Sequence, residues 1–307
     1  MGESTLRING VEIVDTFAEA FGMWCARFCV TAENERWLHA VAGSVTGFAT
    51  SVIGCGCEAG IERFLEPSET PDGRPGVHIL LFTPSKKNMG KQLVGRIGQA
   101  VMTCPTTACF DALEGSERVP LGAGLRYFGD TFQVSKMLDG RRYWRIPVME
   151  GEFLVSDSLG MQKGVGGGNF LIIGRDAASV LRAAEAAVDA MEGLRGVILP
   201  FPGGVVRSGS QVGSKYSFLP ASTNVAFCPT LRGIVESALP EDANSVLEIV
   251  IDGLDDMSVE KAMEQGIRAA CIEGILQITA GNYGGSLGDH LFKLHEIFKK
   301  SAGDHNG

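Results

Sequence analysis

Four stretches of the chain repeat apolar residues three and four positions apart, the spacing that lines one face of a helix. Trp37, Leu38, Val41 and Val45 mark the first, and Met89, Leu93, Ile97 and Val101 the second. Val180, Leu181, Ala184, Ala187, Val188 and Met191 mark the third; Val259, Met263, Ile267, Ala270 and Cys271 mark the fourth. Asp176 and Ser258 stand where the N-caps of the last two belong. A β-type run precedes each helix, at residues 27–31, 78–83, 170–173 and 246–252, and strands follow, clearest at 196–199 and 275–279. Strand–helix–strand therefore occurs twice in each half, which predicts an internal duplication. The expected fold is α+β: two similar ferredoxin-like (split βαβ) sandwich lobes, residues 1–150 and 151–307. A doubly wound sheet of this size would need more than four long helices. Residues 128–155, with turn residues at Asp139-Gly140 and Glu150-Gly151, read as a hairpin and linker between the lobes. The polar tail 301–307 is expected to be disordered.

Charge narrows the partners. Lys and Arg number 27 against 36 Asp and Glu, a net charge of −9, which opposes binding to nucleic acid or an anionic membrane. No run approaches the ~18 apolar residues that span a bilayer, and the first 16 residues alternate instead of forming a signal segment. A cytoplasmic protein is expected. Eight cysteines are too few for a disulfide framework, and Cys55-Gly56-Cys57 is the one close pair. Neither that pair nor His39, His78, His290, His295 and His305 has metal-ligand spacing, so no metal is expected and the thiols read as reduced and inert.

Glycine is the unusual number, 41 of 307 residues against a usual ~7%. It clusters at 164–168, 202–204 and 281–285. The first cluster runs into the strand residues Phe170 to Ile173, so it is no dinucleotide fingerprint, which must open a helix. Residues 209–215, GSQVGSK, miss the spacing of a phosphate-binding loop. No serine-hydrolase elbow or HExxH occurs.

Residues 200–230 lack any period although they lie inside a well-patterned lobe, and such long loops are functional or disordered. Their aromatics and prolines favour order. Lys215, Ser222, Thr223 and Asn224 would offer donors and a cation to an anionic, planar ligand; a loop that holds an oligomer together fits the composition equally. Glu248, in the apolar run 245–251, either faces solvent from one sheet face or faces inward. Inward, burial raises its pKa and makes it a proton donor near neutral pH.

Several strings, in order, resemble the formylmethanofuran:tetrahydromethanopterin formyltransferases. They are Ile8-Asn9-Gly10-Val11-Glu12-Ile13 with Asp15 to Phe21; Thr70-Pro71-Asp72-Gly73-Arg74-Pro75-Gly76; Arg96-Ile97-Gly98-Gln99 with Val101-Met102-Thr103; and Gly167-Gly168-Asn169-Phe170. Further on come Pro200-Phe201-Pro202-Gly203-Gly204, Val212-Gly213-Ser214-Lys215, Phe218 to Asn224, and Ala280-Gly281-Asn282 with Gly284-Gly285. The likeness runs from about Ile8 to Leu294.

The resemblance implies transfer of a formyl group between the amine of methanofuran and a ring nitrogen of tetrahydromethanopterin, both carriers acting as co-substrates, with no tightly bound cofactor. It implies a dimer or tetramer, and it places the family's acid at Glu248, facing inward. Asn224 and Ser222, with Thr223 beside them, become the groups that orient the formyl oxygen. Lys215 and Arg74 become the cations for the carboxylates of a methanofuran tail. A bacterial relative implies hydrolase-type partner subunits and a place in formaldehyde oxidation. A second reading keeps the fold and the carrier site without catalysis, as a structural subunit of such a complex.

Overall fold

The computed structural model describes residues 5–304 apart from 116 and 210, so residues 305–307 of the tail, and His305 with them, lie outside the described residues. The principal elements, in chain order, are strands β1 (Leu6–Ile8), β2 (Val11–Ile13) and β3 (Phe17–Thr31), helix α1 (Glu35–Thr46), strands β4 (Cys57–Leu65) and β5 (Gly76–Thr83), helix α2 (Lys86–Arg96) and strand β6 (Ala108–Asp111). There follow strands β7 (Arg141–Val148), β8 (Gly151–Ser156) and β9 (Ser158–Gly174), helix α3 (Ala177–Met191), strands β10 (Val197–Ile198) and β11 (Ser245–Gly253), helix α4 (Asp256–Ala270), strands β12 (Ile275–Thr279) and β13 (His290–Lys293), and helix α5 (Leu294–Asp304). The protein is mixed α/β.

The chain forms two compact units, Met23–Gly164 and a second made of Met1–Gly22 with Val165–Gly307. In the first, the strands lie in the order β4-β5-β3-β6, all antiparallel, and β8 adds to β6 in parallel with β7 antiparallel beyond it. In the second the order is β10-β11-β9-β12, again antiparallel, with β2 parallel to β12 and β1 antiparallel beyond it. Each order is that of the split βαβ plan.

The compact units break after Gly22 and after Gly164, where the sequence expectation divided the chain at 150/151. The hairpin β1-β2, which precedes the first βαβ pair in sequence, extends the sheet of the second unit. The hairpin β7-β8, which precedes the second pair, extends the sheet of the first. Each hairpin completes the unit it does not precede.

Each sheet packs one face on two helices. In the second unit Phe170, Ile172, Ile249 and Ile251 meet Val180, Ala184, Val259 and Met263. In the first, Phe28, Val30, Ile79 and Leu81 meet Leu38, Val41, Met89 and Leu93. Removing each such large side chain from water stabilises the fold by ~1.5–3 kcal/mol.

The glycine string at 166–168 serves this packing. A bulge between Val165 and Gly168 places Gly167 at φ +88°, and a Cβ on Gly168 would come within 2.4 Å of Val259 Cγ1 on α4.

Asp176 caps α3 as expected, its carboxylate accepting from the Ser179 amide at 2.8 Å. The cap of α4 corrects the sequence reading: Asp255 is the N-cap, and Ser258 supplies the amide it accepts at 2.8 Å. Asp255→Ala should therefore cost ~1 kcal/mol in denaturant unfolding, and Ser258→Ala much less. His290 lies on β13 and His295 on α5, whose backbone is helical through Asp304 and so runs into the tail expected at 301–307.

Candidate functional site

Ile249 and Ile251 face the helices, so the two-residue period of β11 turns Glu248 to the sheet's other face. On that face its side chain is half-buried. Its neighbour across the ladder on one side is Leu171 of β9. On the other side Val206 closes a two-bond bridge, Val206 N to Glu248 O at 2.7 Å and Glu248 N to Val206 O at 3.0 Å. The backbone is therefore held from both sides, while the carboxylate makes no ion pair or side-chain hydrogen bond among the described residues. Burial without a compensating cation pushes it up to about 7.

A glycine-rich loop at 280–289 adjoins this carboxyl. Asn169, on the same face of β9, accepts from the Gly281 amide at 2.6 Å and donates to the Gly281 carbonyl at 3.2 Å. Glu19 of β3 accepts four backbone amides of the loop: Tyr283 at 2.6 Å, Gly285 at 2.8 Å, Leu287 at 2.6 Å and Gly288 at 2.6 Å. Burial acts to raise Glu19, but those four donors outweigh it and hold the carboxyl down at about 2. The loop so fixed carries Tyr283, whose ring lies 6.4 Å from that of Phe21. Burial and the neighbouring Glu248 carboxylate push its phenol up, against the pull of the Val212 amide. Tyr283 thus links Glu248 to the loop of residues 200–230.

That loop is ordered by short contacts, without a long element. Its two short strands pair Gln211 with Ser222 and Val212 with Ala221. Thr223 Oγ1 donates to the Ser208 carbonyl at 2.9 Å, so its hydroxyl proton is already used. Gly209 lies against Asn224, where a Cβ would stand 3.3 Å from the Asn224 amide nitrogen. The Asn224 carboxamide makes no hydrogen bond among the described residues. Lys215 is exposed and makes no ion pair among them, and beside it the exposed rings of Tyr216 and Phe218 stand 5.7 Å apart.

Glu248, Asn224, Ser222, Thr223 and Lys215 therefore belong to one unit, on a loop tied to the Glu248 strand through Val206. No hydrogen bond joins Glu248 to Asn224 among the described residues. Arg74 belongs to the other unit, and its donors are taken. It bonds Asp72 Oδ2 at 2.8 and 3.0 Å, Thr31 Oγ1 at 3.1 Å and the Thr106 carbonyl.

The repeated plan exposes a contrast. His78 stands seven residues before Ser85, the cap of α2, as Glu248 stands seven before Asp255. His78 is half-buried beside Glu62, which in turn binds Arg27 at 2.5 Å. Burial lowers it to about 4, so it is neutral at pH 7. Of the two matched positions, one holds a neutral imidazole in an ion-pair network and the other an acid without a cation.

Sequence reasoning missed Glu19, Asn169 and Tyr283 as functional residues. Glu19 and Asn169 stand in the strings quoted and Tyr283 in the glycine cluster at 281–285, but nothing local says that a carboxylate in β3 will gather amides more than 260 residues away.

This is a two-unit α/β protein whose helix-free sheet face carries a half-buried carboxyl that burial pushes up to about 7. Residues 6–148 match the model of the formylmethanofuran-tetrahydromethanopterin formyltransferase family, and residues 151–297 match that of its proximal lobe. The chain belongs to this family. It is 60% identical to the formylmethanofuran–tetrahydromethanopterin formyltransferase of Methylococcus capsulatus, over 94% of this chain and 99% of that one. Among solved structures, the formyltransferase of Methanosarcina barkeri superposes with a TM-score of 0.91 at 49% identity, covering 95% of this chain and all of that one. A chain of the formyltransferase/hydrolase complex of Methylorubrum extorquens, solved with methylofuran, superposes with a TM-score of 0.93 at 50% identity, covering 96% and 99%.

Proposed function

We propose that this chain transfers the formyl group of formylmethanofuran to a ring nitrogen of tetrahydromethanopterin, with Glu248 moving the proton. The observation that supports this most is the unpaired, half-buried Glu248 carboxyl, pushed up to about 7. Attack of the ring nitrogen on the formyl carbon gives a tetrahedral adduct with a negative oxygen. The Asn224 carboxamide and the loop amides near Ser222 are the donors that would hold that oxygen. Protonated Glu248 donates to the leaving amine nitrogen as its bond to carbon breaks, and the ring nitrogen's proton returns to the carboxylate. Every proton is conserved, and the scheme calls on no metal or resident cofactor.

Lys215, with its charge free, is better placed than Arg74 to meet the carboxylates of a methanofuran-type tail. Lys215→Ala is expected to raise KM for that carrier several-fold with kcat and melting temperature unchanged, measured by steady-state kinetics. The direct test is formyl transfer by the purified chain with both carriers. Transfer supports the reading. A chain that binds both carriers yet stays silent alone and with partner subunits would favour the carrier-binding role instead.

The shared strand order and cap spacing support an origin by duplication of one split βαβ lobe, with 151–307 as the second copy and the two hairpins exchanged. We further propose assembly as a dimer or tetramer and with hydrolase-type subunits; the exposed Tyr216, Phe218 and Ile234 offer apolar surface for such contacts. Light scattering of the purified chain, alone and mixed with those subunits, would test both. A cytoplasmic location is consistent with eight free thiols. Among the described residues no helix is long and apolar enough to cross a membrane.

A further inference from the structure

The one close cysteine pair is not inert in its surroundings. Cys55 ends a short helical turn, Val52–Cys55, and Cys57 opens β4. Gly56 between them is left-handed at φ +78°, and a Cβ there would come within 2.8 Å of Gln92 Nε2. Two residues one turn apart on α2 clamp the pair. Gln92 donates to the Cys55 carbonyl at 3.3 Å and accepts from Cys57 Sγ at 3.3 Å. Arg96 donates to Cys57 Sγ at 3.2 Å.

The rest of the guanidinium is pinned on the end of α1, donating to the carbonyls of Val45 at 2.9 Å, Gly47 at 2.8 Å and Phe48 at 2.8 Å. Arg96 is therefore a fixed cation at the Cys57 sulfur, two residues from Cys55.

The two thiols differ as an attacking and a resolving group should. Cys55 is half-buried and reachable, with the Thr50 hydroxyl 3.7 Å from its sulfur. Burial acts to raise its pKa, but the Ser51 and Thr50 amides, the Thr50 hydroxyl and Arg96 outweigh it and set the thiol below its ordinary value. Cys57 is buried, and burial pushes it up. Cys104 is equally half-buried, yet burial and the nearby Glu150 raise it. Exposure alone does not set Cys55 apart; the Thr50 hydroxyl and the amides at its sulfur do.

We propose that Cys55 is a reactive thiol that takes small peroxides, and that Cys57 resolves it to a Cys55–Cys57 disulfide. The Cys55 sulfur attacks one peroxide oxygen, the O–O bond breaks, one water leaves and a sulfenic acid remains. The Cys57 sulfur then attacks the sulfenic sulfur, the S–S bond forms, the S–O bond breaks and the hydroxide departs as water with the Cys57 proton. Two thiols lose two electrons and the peroxide gains them. The disulfide removes the sulfur partner of Arg96 and leaves its three carbonyl partners in place. The inference does not depend on formyl transfer.

The test uses the full chain. Limited alkylation of the reduced protein with iodoacetamide at pH 7, read by mass spectrometry, should label Cys55 about tenfold faster than Cys104. Equimolar hydrogen peroxide added before alkylation should leave the peptide with Cys55 and Cys57 unalkylated and two hydrogens lighter. In Cys57→Ser, dimedone should trap the sulfenic acid on Cys55. Equal labelling of Cys55 and Cys104 in the wild type, or oxidation of other cysteines while Cys55 and Cys57 stay alkylatable, would overturn the proposal.

Discussion

Glu248→Gln should lower formyl transfer by ~100-fold or more and, at the same time, make the protein more stable above pH 7. The two effects share one cause. A carboxyl at about 7 keeps its proton in the fold at pH values where the unfolded chain, near 4.5, has lost it. Its contribution to stability is full below 4.5 and is lost as pH rises through 7. Glutamine has no charge to bury, so the variant keeps its stability at pH 8, by on the order of 3 kcal/mol over the wild type. Thermal melts at pH 5 and pH 8 would show the gap opening only at the higher pH. The wild-type rate should fall above about pH 7 as the donor form disappears, and the variant should show no such limb. An active variant, or one equally destabilised at both pH values, would remove Glu248 from the proton pathway.

Glu19→Gln is the second large effect, of opposite sign in stability. Four backbone amides converge on the Glu19 carboxylate, two on each oxygen, and a carboxamide replaces one oxygen with an NH2 group, so two amides are left facing donors. Hydrogen exchange at Tyr283, Gly285, Leu287 and Gly288 should speed up roughly tenfold or more, a loosening that places Tyr283 away from Glu248 and slows transfer. The pH dependence follows from a carboxyl held at about 2. Its stabilisation is present above the unfolded value of 4.5 and is lost as pH falls through 2. Wild type and variant should therefore differ most at neutral pH and converge in acid, the reverse of the Glu248 pair. Unchanged exchange in the loop would show that Asn169 and the local turns hold it without Glu19.

These two glutamates show what could be read early and what could not. Glu248 was legible as an acid in an apolar run, and the family resemblance turned it inward. Its proton affinity was not legible, because that depends on the covering loop and on the absence of a nearby cation. His78 makes the point: it occupies the matched place on β5, and burial leaves it neutral despite the Glu62 carboxylate beside it. Lys215 and Arg74 were indistinguishable as cations in sequence, yet one is exposed with its charge free and the other is bound to Asp72, Thr31 and Thr106. Cys55 and Cys57 were read as inert because composition carries no information about an arginine 39 residues further on.

The sequence by itself determined the four helices, the cap at Asp176, the strand–helix–strand order in each half and the aperiodic loop at 200–230. Those are local properties: apolar period, turn chemistry and capping act within a few residues and leave their mark in order along the chain. Only the tertiary structure decided that each hairpin completes the unit it does not precede, that Glu19 gathers the 280–289 loop, and that Glu248 is half-buried without a cation beside it. An apolar pattern records that a face is covered and not what covers it. Register across distant strands and the removal of water from a carboxyl both depend on partners that meet only when the whole chain has folded.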